Sequence, residues 1–472
     1  MNTDCTKTIY EFQSLNTRKV VGTFDGGKIT SDAGGILLRE VENRCGIIHQ
    51  FSQCFKDYRN PNLIEHTVDE LVAQRVYGLV LGYEDLNDHD TLRLDPLLAT
   101  LVGKVDPTGS NRVREEDRGK PLAGKSTLNR LELTSPDHKK VDRYKKIVLD
   151  WDAVNELFVN LFVQAHSQAP ERVVLDLDAT DDPLHGQQEG RFFHGYYKEY
   201  CYLPLYIFCG EFLLCARLRE ASMDAAQGSV EEVARIVEGL RAVWPDVEIA
   251  VRGDSGFCRE DLMVWCETND VHFILGVAKN PRLVKRIEKP MKKAAKRYAA
   301  SGKASREFAD FRYKTLKTWS RKRRVIGKAE YLPKGSNPRF VVTSYSRTDY
   351  EARQLYEEEY CARGEMENRI KEQQLYLFAD RTSTHQMHSN QVRLWFSSVA
   401  YALMQAFRRL GLVGTEMAKA QCHTIRLKLL KLGAQVRISV RRVVLSMASG
   451  WPYQELFDRI YWNLKHGMPL RI

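Results

Sequence analysis

The chain predicts an α/β fold: a mixed sheet flanked by helices, with a β-rich insertion and a mostly helical region ahead of it. Three observations carry that class. After Pro170 the pattern alternates between short β-branched runs and amphipathic helical stretches. Between Asn62 and about Ala165 the apolar spacing is helical, as in LIEHTVDELVAQRVYGLVLG and WDAVNELFVNLFVQA. Between about 280 and 345, strand-like alternation returns in REFADFRYKTLKTW and in RFVVTSY, around a KGSNP turn.

Taken in order, residues 1–60 hold a Gly-rich segment, TFDGGKITSDAGGILLREV, which reads as turns and strands leading into a helix. Residues 61–168 are expected to form a helical DNA-binding region, interrupted by the polar stretch VDPTGSNRVREEDRGKPLAGKS. Residues 169–280 supply VVLDLDA as a first strand, then YLPLYIFCG and EFLLCARLRE as a pair joined by a tight Gly210-Glu211 turn. The helix SVEEVARIVEGLRAVW, the strand VEIAVRGDS, the helix REDLMVWCETN and the strand HFILGVAKN follow. Residues 281–345 are the basic β-rich insertion, 346–412 the closing helices, and 413–472 a basic C-terminal region.

Three strands, then helix, strand, helix, strand, is the order of a ribonuclease-H-like sheet, in which the first and fourth strands lie side by side. That adjacency makes neighbours of Asp178, in ERVVLDLDATDD, and Asp254, at the end of VEIAVRGDSGF. The last helix, in YEEEYCARGEMENRIKEQQ, then supplies Glu367 as a third carboxylate. Three carboxylates far apart in sequence and gathered by the fold suit hard divalent cations, and with them the phosphoryl-transfer chemistry of a two-metal site. Asp176 rivals Asp178 for the first position, because alternation puts both on one face of the strand. Asp181 and Asp182 lie past the strand and are expected in solvent.

At 472 residues the chain is long enough for two or three domains. Its longest apolar stretch, WFSSVAYALM, is too short to span a bilayer, and no basic start precedes an apolar run at the N-terminus. Ten scattered cysteines without a C-x-x-C pair argue against a zinc ribbon and for reduced thiols. The expected location is the cytoplasm, at the nucleoid when bound to DNA, with no membrane partner. The net charge of +10 is concentrated: 279–328 holds 19 Lys or Arg against 3 acids, and 407–443 holds 9 against 1, so the remainder is net acidic. Clustered cations on an acidic body point to a polyanion, with nucleic acid the first candidate.

The combination resembles the bacterial insertion-sequence transposases of the DDE type (group 1), whose ribonuclease-H-like core carries a β insertion between the second aspartate and the glutamate. The resemblance rests on DLDATDDPLHGQQ, VRGDSGF, the Y-x-x-R-x-x-x-E spacing of Tyr360, Arg363 and Glu367, and RLKLLKLGAQVRISVRR, and extends from about Phe24 to the C-terminus. It implies Asp178, Asp254 and Glu367 as catalytic and metal-binding residues, and Mg²⁺ as cofactor, two ions per site with Mn²⁺ able to substitute. It also implies double-stranded DNA, at terminal inverted repeats and target, cut and joined by a homodimer. D-A-T favours Asp178 over Asp176. One departure is Gln374 where related elements place a lysine; Lys371, one turn after Glu367, is the candidate replacement for that phosphate contact.

Helical spacing puts Tyr360, Arg363 and Glu367 on one face, directed at the same phosphate region; an Arg363–Glu367 surface pair is the bland alternative. Trp319 is a candidate for stacking on an unpaired base, against an ordinary packing role. Arg321, Lys322, Arg323 and Arg324 are expected to contact phosphates without sequence preference. His185 and Gln187 follow the first strand closely, within reach of substrate or metal. Gly119 to Ser126, GKPLAGKS, satisfies the P-loop pattern and opens an alternative, a nucleotide hydrolase acting on DNA; the preceding SNRVREEDR is too polar for the buried strand a P-loop needs. The other alternative is a DNA-binding regulator with an inactive site, disfavoured by the presence of all three carboxylates.

Overall fold

The computed structural model describes residues 8–134 and 146–467. It divides into two compact units, one of 150–398 and the other of 1–149 with 399–468.

The unit of 150–398 is built on an eight-stranded mixed sheet. Its strands are β1 (Arg172–Ala179), β2 (Leu205–Cys209), β3 (Phe212–Arg217), β4 (Glu248–Gly253), β5 (His272–Val277), β6 (Ser305–Tyr313), β7 (Arg323–Leu332) and β8 (Gly335–Thr343). In space they run β3-β2-β1-β4-β5-β8-β7-β6. The first and fourth strands are adjacent and parallel, as the element order predicts, with Asp176 opposite Arg252 and Leu177 opposite Gly253.

β-branched and leucine side chains make β1 and β4 strands, and the pleat sorts their residues. Val173, Leu175 and Leu177 of β1, with Ile249 and Val251 of β4, face one core. There they meet α1 (Trp151–Gln164) through Phe162, α2 (Ser229–Val243) through Ile236 and Leu240, and α3 (Glu260–Thr268) through Leu262 and Met263. Ala250 of β4 faces a second cluster with Ile274, Val341 and Leu355, and Val174 packs against it. The even-numbered residues, and so Asp176, Asp178, Arg252 and Asp254, therefore belong to that second face. Covering on both faces is what parallel strands require.

The segment from 281 departs from expectation. It opens with two helices, α4 (Pro281–Arg286) and α5 (Glu288–Ser301). Asn280 caps α4, accepting from the Leu283 amide at 3.0 Å, and Pro281 occupies its first position. Its strands are not a separate body: β6, β7 and β8 extend the main sheet, because β8 pairs antiparallel with β5. The strand at 323–332 has no counterpart in the sequence-based expectation, its alternation being obscured by the basic residues at its start.

The closing helix is also less regular than its spacing predicts. Leu355–Tyr360 is a π turn and Cys361–Arg363 a tighter turn, before α6 (Gly364–Leu377) begins. Met366 and Ile370 bury one stripe of α6 while Glu367 stays exposed.

In the other unit, helices Ile36–Cys45, Val68–Leu81, Pro96–Val102 and Gln454–His466 are joined by a small sheet in which Ile29–Thr30 pairs with Ala434–Ile438. Thr67 and Glu70 close a capping box at the start of Val68–Leu81. Gly34 is where backbones touch: a Cβ there would clash with the Leu429 carbonyl oxygen, so only glycine fits. Among the described residues no helix is long and apolar enough to cross a membrane.

Candidate active site

Asp178 stands at the penultimate position of β1 and Asp254 immediately after β4. The parallel register that sets Leu177 against Gly253 makes them the next pair along the two strands. Both carboxylates are pinned by local backbone: the Ala179 amide donates to Asp178 Oδ1 at 3.0 Å, and the Gly256 amide to Asp254 Oδ1 at 2.7 Å. Glu367 comes from the first turn of α6. All three line one cavity of 810 Å³.

Arg363 spans two of them. Its Nη1 lies 3.7 Å from Asp178 Oδ2, and its Nη2 donates to Glu367 Oε1 at 3.2 Å. The surface pair that competes with a functional reading is thus present, but the same guanidinium also reaches the strand-borne aspartate. Burial pushes the Asp178 carboxyl up to about 6; the negative charges of Asp254 and Glu367 add to the rise and Arg363 opposes it. A crowded set of hard-oxygen donors short of positive charge suits a divalent cation. As they stand, among the described residues, no three ligating side chains converge closely enough to hold one. The cation between Asp178 and Glu367 is Arg363 itself.

Asp176 is separated from this group by its partner. Arg252 Nε and Nη2 donate to its two carboxylate oxygens at 2.5 and 2.7 Å, and Arg252 Nη1 also donates to the Glu359 carbonyl. Asp176 is only 4% exposed and does not line the cavity. Nothing in the motifs singles out Arg252, although its position two residues before Asp254 puts it on the face of Asp176.

The remaining candidates fare differently. Tyr360 is half-buried, with its hydroxyl over Gly276, where a Cβ would meet it at 2.6 Å. Burial raises its phenol, with Arg363 and Asp254 close enough to act on it. Lys371 is exposed and lines the cavity. Gln374 lines it too, donating to the Asp181 carbonyl at 3.0 Å. His185 and Gln187 are exposed, and the Gln187 carbonyl pairs with His385 Nδ1 at 2.7 Å.

Three expectations are corrected. Trp319 is 5% exposed and packs edge-on to Tyr313 at 5.8 Å, so its ring has no face open to a base. Asp182, expected in solvent, is 1% exposed, and burial raises its carboxyl well above the usual range. The Arg321 to Arg324 run is largely neutralised from within. Arg323 binds Glu260 and Glu267 of α3 at 2.7 and 2.8 Å, Arg321 binds Glu267, and Arg324 binds Asp310 at 3.0 Å. Lys322 alone of the four is exposed without such a partner among the described ion pairs. Counting charge along the chain misses acids about sixty residues upstream that the fold brings alongside.

Gly119 to Ser126 lacks P-loop surroundings. A tight helical turn, Glu115–Asp117, precedes it instead of a strand. Lys125 begins the helix Lys125–Glu132, and its Nζ donates to Asn87 Oδ1 at 2.9 Å, 3.3 Å from Asp90 Oδ2.

A family model described as transposase DDE domain group 1 matches residues 12–469. No curated protein matches the chain.

Proposed function

This chain belongs to the transposase DDE domain group 1 family, and we propose that it binds the terminal inverted repeats of its own element, cuts there and joins the ends to target DNA. Asp178, Asp254 and Glu367 are the residues that would hold two Mg²⁺ ions, with Mn²⁺ able to replace them. Bound there, the ions would neutralise the scissile phosphate and activate water or a terminal hydroxyl.

The observation that carries this reading is the sharing of one 810 Å³ cavity by three carboxylates, from β1, from just past β4 and from α6, one of them with its carboxyl raised to about 6. The chain's own contribution is placement. The amides of Ala179 and Gly256 orient two carboxylates, and α6, seated by Met366 and Ile370, carries the third. Arg363 and Lys371 bring positive charge to the cavity where a phosphate would sit. The work of dimerising on DNA falls to both copies of the chain.

The test is incubation of the purified protein with plasmid DNA carrying the element's ends, with Mg²⁺ and with a chelator. Cleavage and end joining that need the metal and vanish in Asp254→Asn, while end binding persists, are expected. Undiminished cutting by Asp254→Asn would remove the assignment.

A further inference from the structure

Between β1 and β2 the chain leaves the main sheet to form a small hairpin, Phe192–His194 paired with Glu199–Tyr202. Its surface is aromatic. Phe192 and Phe193 are 48% and 50% exposed, Tyr200 43%, and Tyr196 at the tip 83%. Aromatic rings grouped in solvent mark a surface that something else covers.

The tip is built rather than loose. Lys198 adopts the left-handed conformation, with φ of 63°, and its amide closes the turn on the His194 carbonyl at 2.8 Å. Tyr197 is half-buried and packs against the cluster of Cys201, Leu203 and Ala221, as does Ala179, the residue after Asp178. Tyr196 stands edge-on to it, with ring centres 5.0 Å apart and planes at 89°. Tyr196 and Tyr197 both line the cavity of the three carboxylates.

Resting on the transposase reading above, we propose that this hairpin is a stacking subsite for an unpaired nucleobase beside the cavity of Asp178, Asp254 and Glu367, with Tyr196 as its platform. A ring so exposed has a free face, and every base has a π-face to match it. Inside a duplex the faces of each base are covered by its stacked neighbours, so a ring lining the cavity meets an interior base only where the strand is opened. Trp319 cannot serve, since its ring is packed inside the protein.

The test compares binding of a blunt duplex with that of the same duplex bearing a short single-stranded extension that carries a fluorescent purine analogue, without metal. Wild-type protein should prefer the extended duplex and quench the analogue. Tyr196→Ala should lose the quenching and about tenfold of the preference, as expected for removal of one stacked ring. Tyr196→Phe should keep both, because stacking needs the ring and not the hydroxyl. At 83% exposure neither change touches the core. Unchanged quenching in Tyr196→Ala, equal loss in Tyr196→Phe, or a change of oligomeric state without DNA in Tyr196→Ala would overturn the proposal. Metal-dependent cutting of end-bearing plasmid is scored separately. Its absence from wild-type protein counts against the transposase reading, whereas its presence alongside a failed fluorescence test counts against the subsite alone.

Discussion

Arg252 closes on Asp176 with two hydrogen bonds, of 2.5 and 2.7 Å, across adjacent parallel strands at matched register. Two residues further along β1, on the same face, Asp178 has Arg363 at 3.7 Å and two other carboxylates around the same cavity. Two aspartates that alternation cannot tell apart thus sit in different surroundings. Asp176→Ala leaves the Arg252 charge buried and unpaired and should cost about 3–5 kcal/mol of stability. Asp178→Asn removes a crowded charge and should leave stability unchanged or raised while abolishing metal-dependent cleavage. Denaturant unfolding of both variants checks the first difference, and a plasmid cleavage assay the second.

Arg363 holds the place of a cation between Asp178 and Glu367. Arg363→Gln should therefore lower stability without metal, by about 1 kcal/mol given the half-exposed Glu367. Added Mg²⁺ should then raise the melting temperature of the variant more than that of the wild type. Equal metal-induced shifts in the two proteins would show that the guanidinium and the metal do not compete.

The basic run at 321–324 divides into structural and free charges. Arg323→Gln takes the guanidinium from Glu260 and leaves Glu267 only Arg321, and should lower stability with little change in the salt dependence of DNA binding. Lys285, Lys289 and Lys296, exposed on α4 and α5, are expected to contact phosphates instead. Their replacement by Gln should flatten the log–log salt slope by about one unit for each phosphate no longer neutralised. A slope that responds to Arg323 and ignores the helix lysines would reverse this assignment.

Acid should destabilise the unit of 1–149 and 399–468 through two buried imidazoles. Burial first, with nearby arginines adding, lowers His66 and His89 from 6.5 to about 3. The unfolded chain then binds protons that the folded one refuses, so stability falls as pH drops below 6.5 and keeps falling toward 3. Each imidazole contributes a slope of about 1.4 kcal/mol per pH unit in that window. Glu42, raised by burial to about 7, works in the opposite sense between about 7 and 4.5 and cancels part of the loss. The decline should therefore steepen below about 4.5, and His89→Gln should make it shallower throughout. Unfolding titrations across pH check both features.

Lys125→Ala should leave metal-dependent cleavage intact and independent of nucleotide, because its ammonium is engaged by Asn87 and Asp90 within its own unit. A requirement for ATP that this change abolishes would restore the nucleotide-hydrolase alternative.

Sequence alone carried the α/β class, the adjacency of the first and fourth strands, and the face shared by Asp176 and Asp178. These follow from local properties: β-branched runs, a period of two, and the order of elements. What it could not carry were decisions made by partners distant in the chain. Arg252 took Asp176 out of the cavity, Glu260 and Glu267 absorbed Arg323, and β5 drew the inserted strands into the main sheet. Burial did the same for Trp319 and Asp182, one packed beside Tyr313 and the other raised out of its ordinary ionisation range. Charge and aromaticity are properties of a residue and can be counted along a chain. Whether a charge is free or a ring exposed depends on what the fold places within a few ångströms, and only tertiary structure decides that.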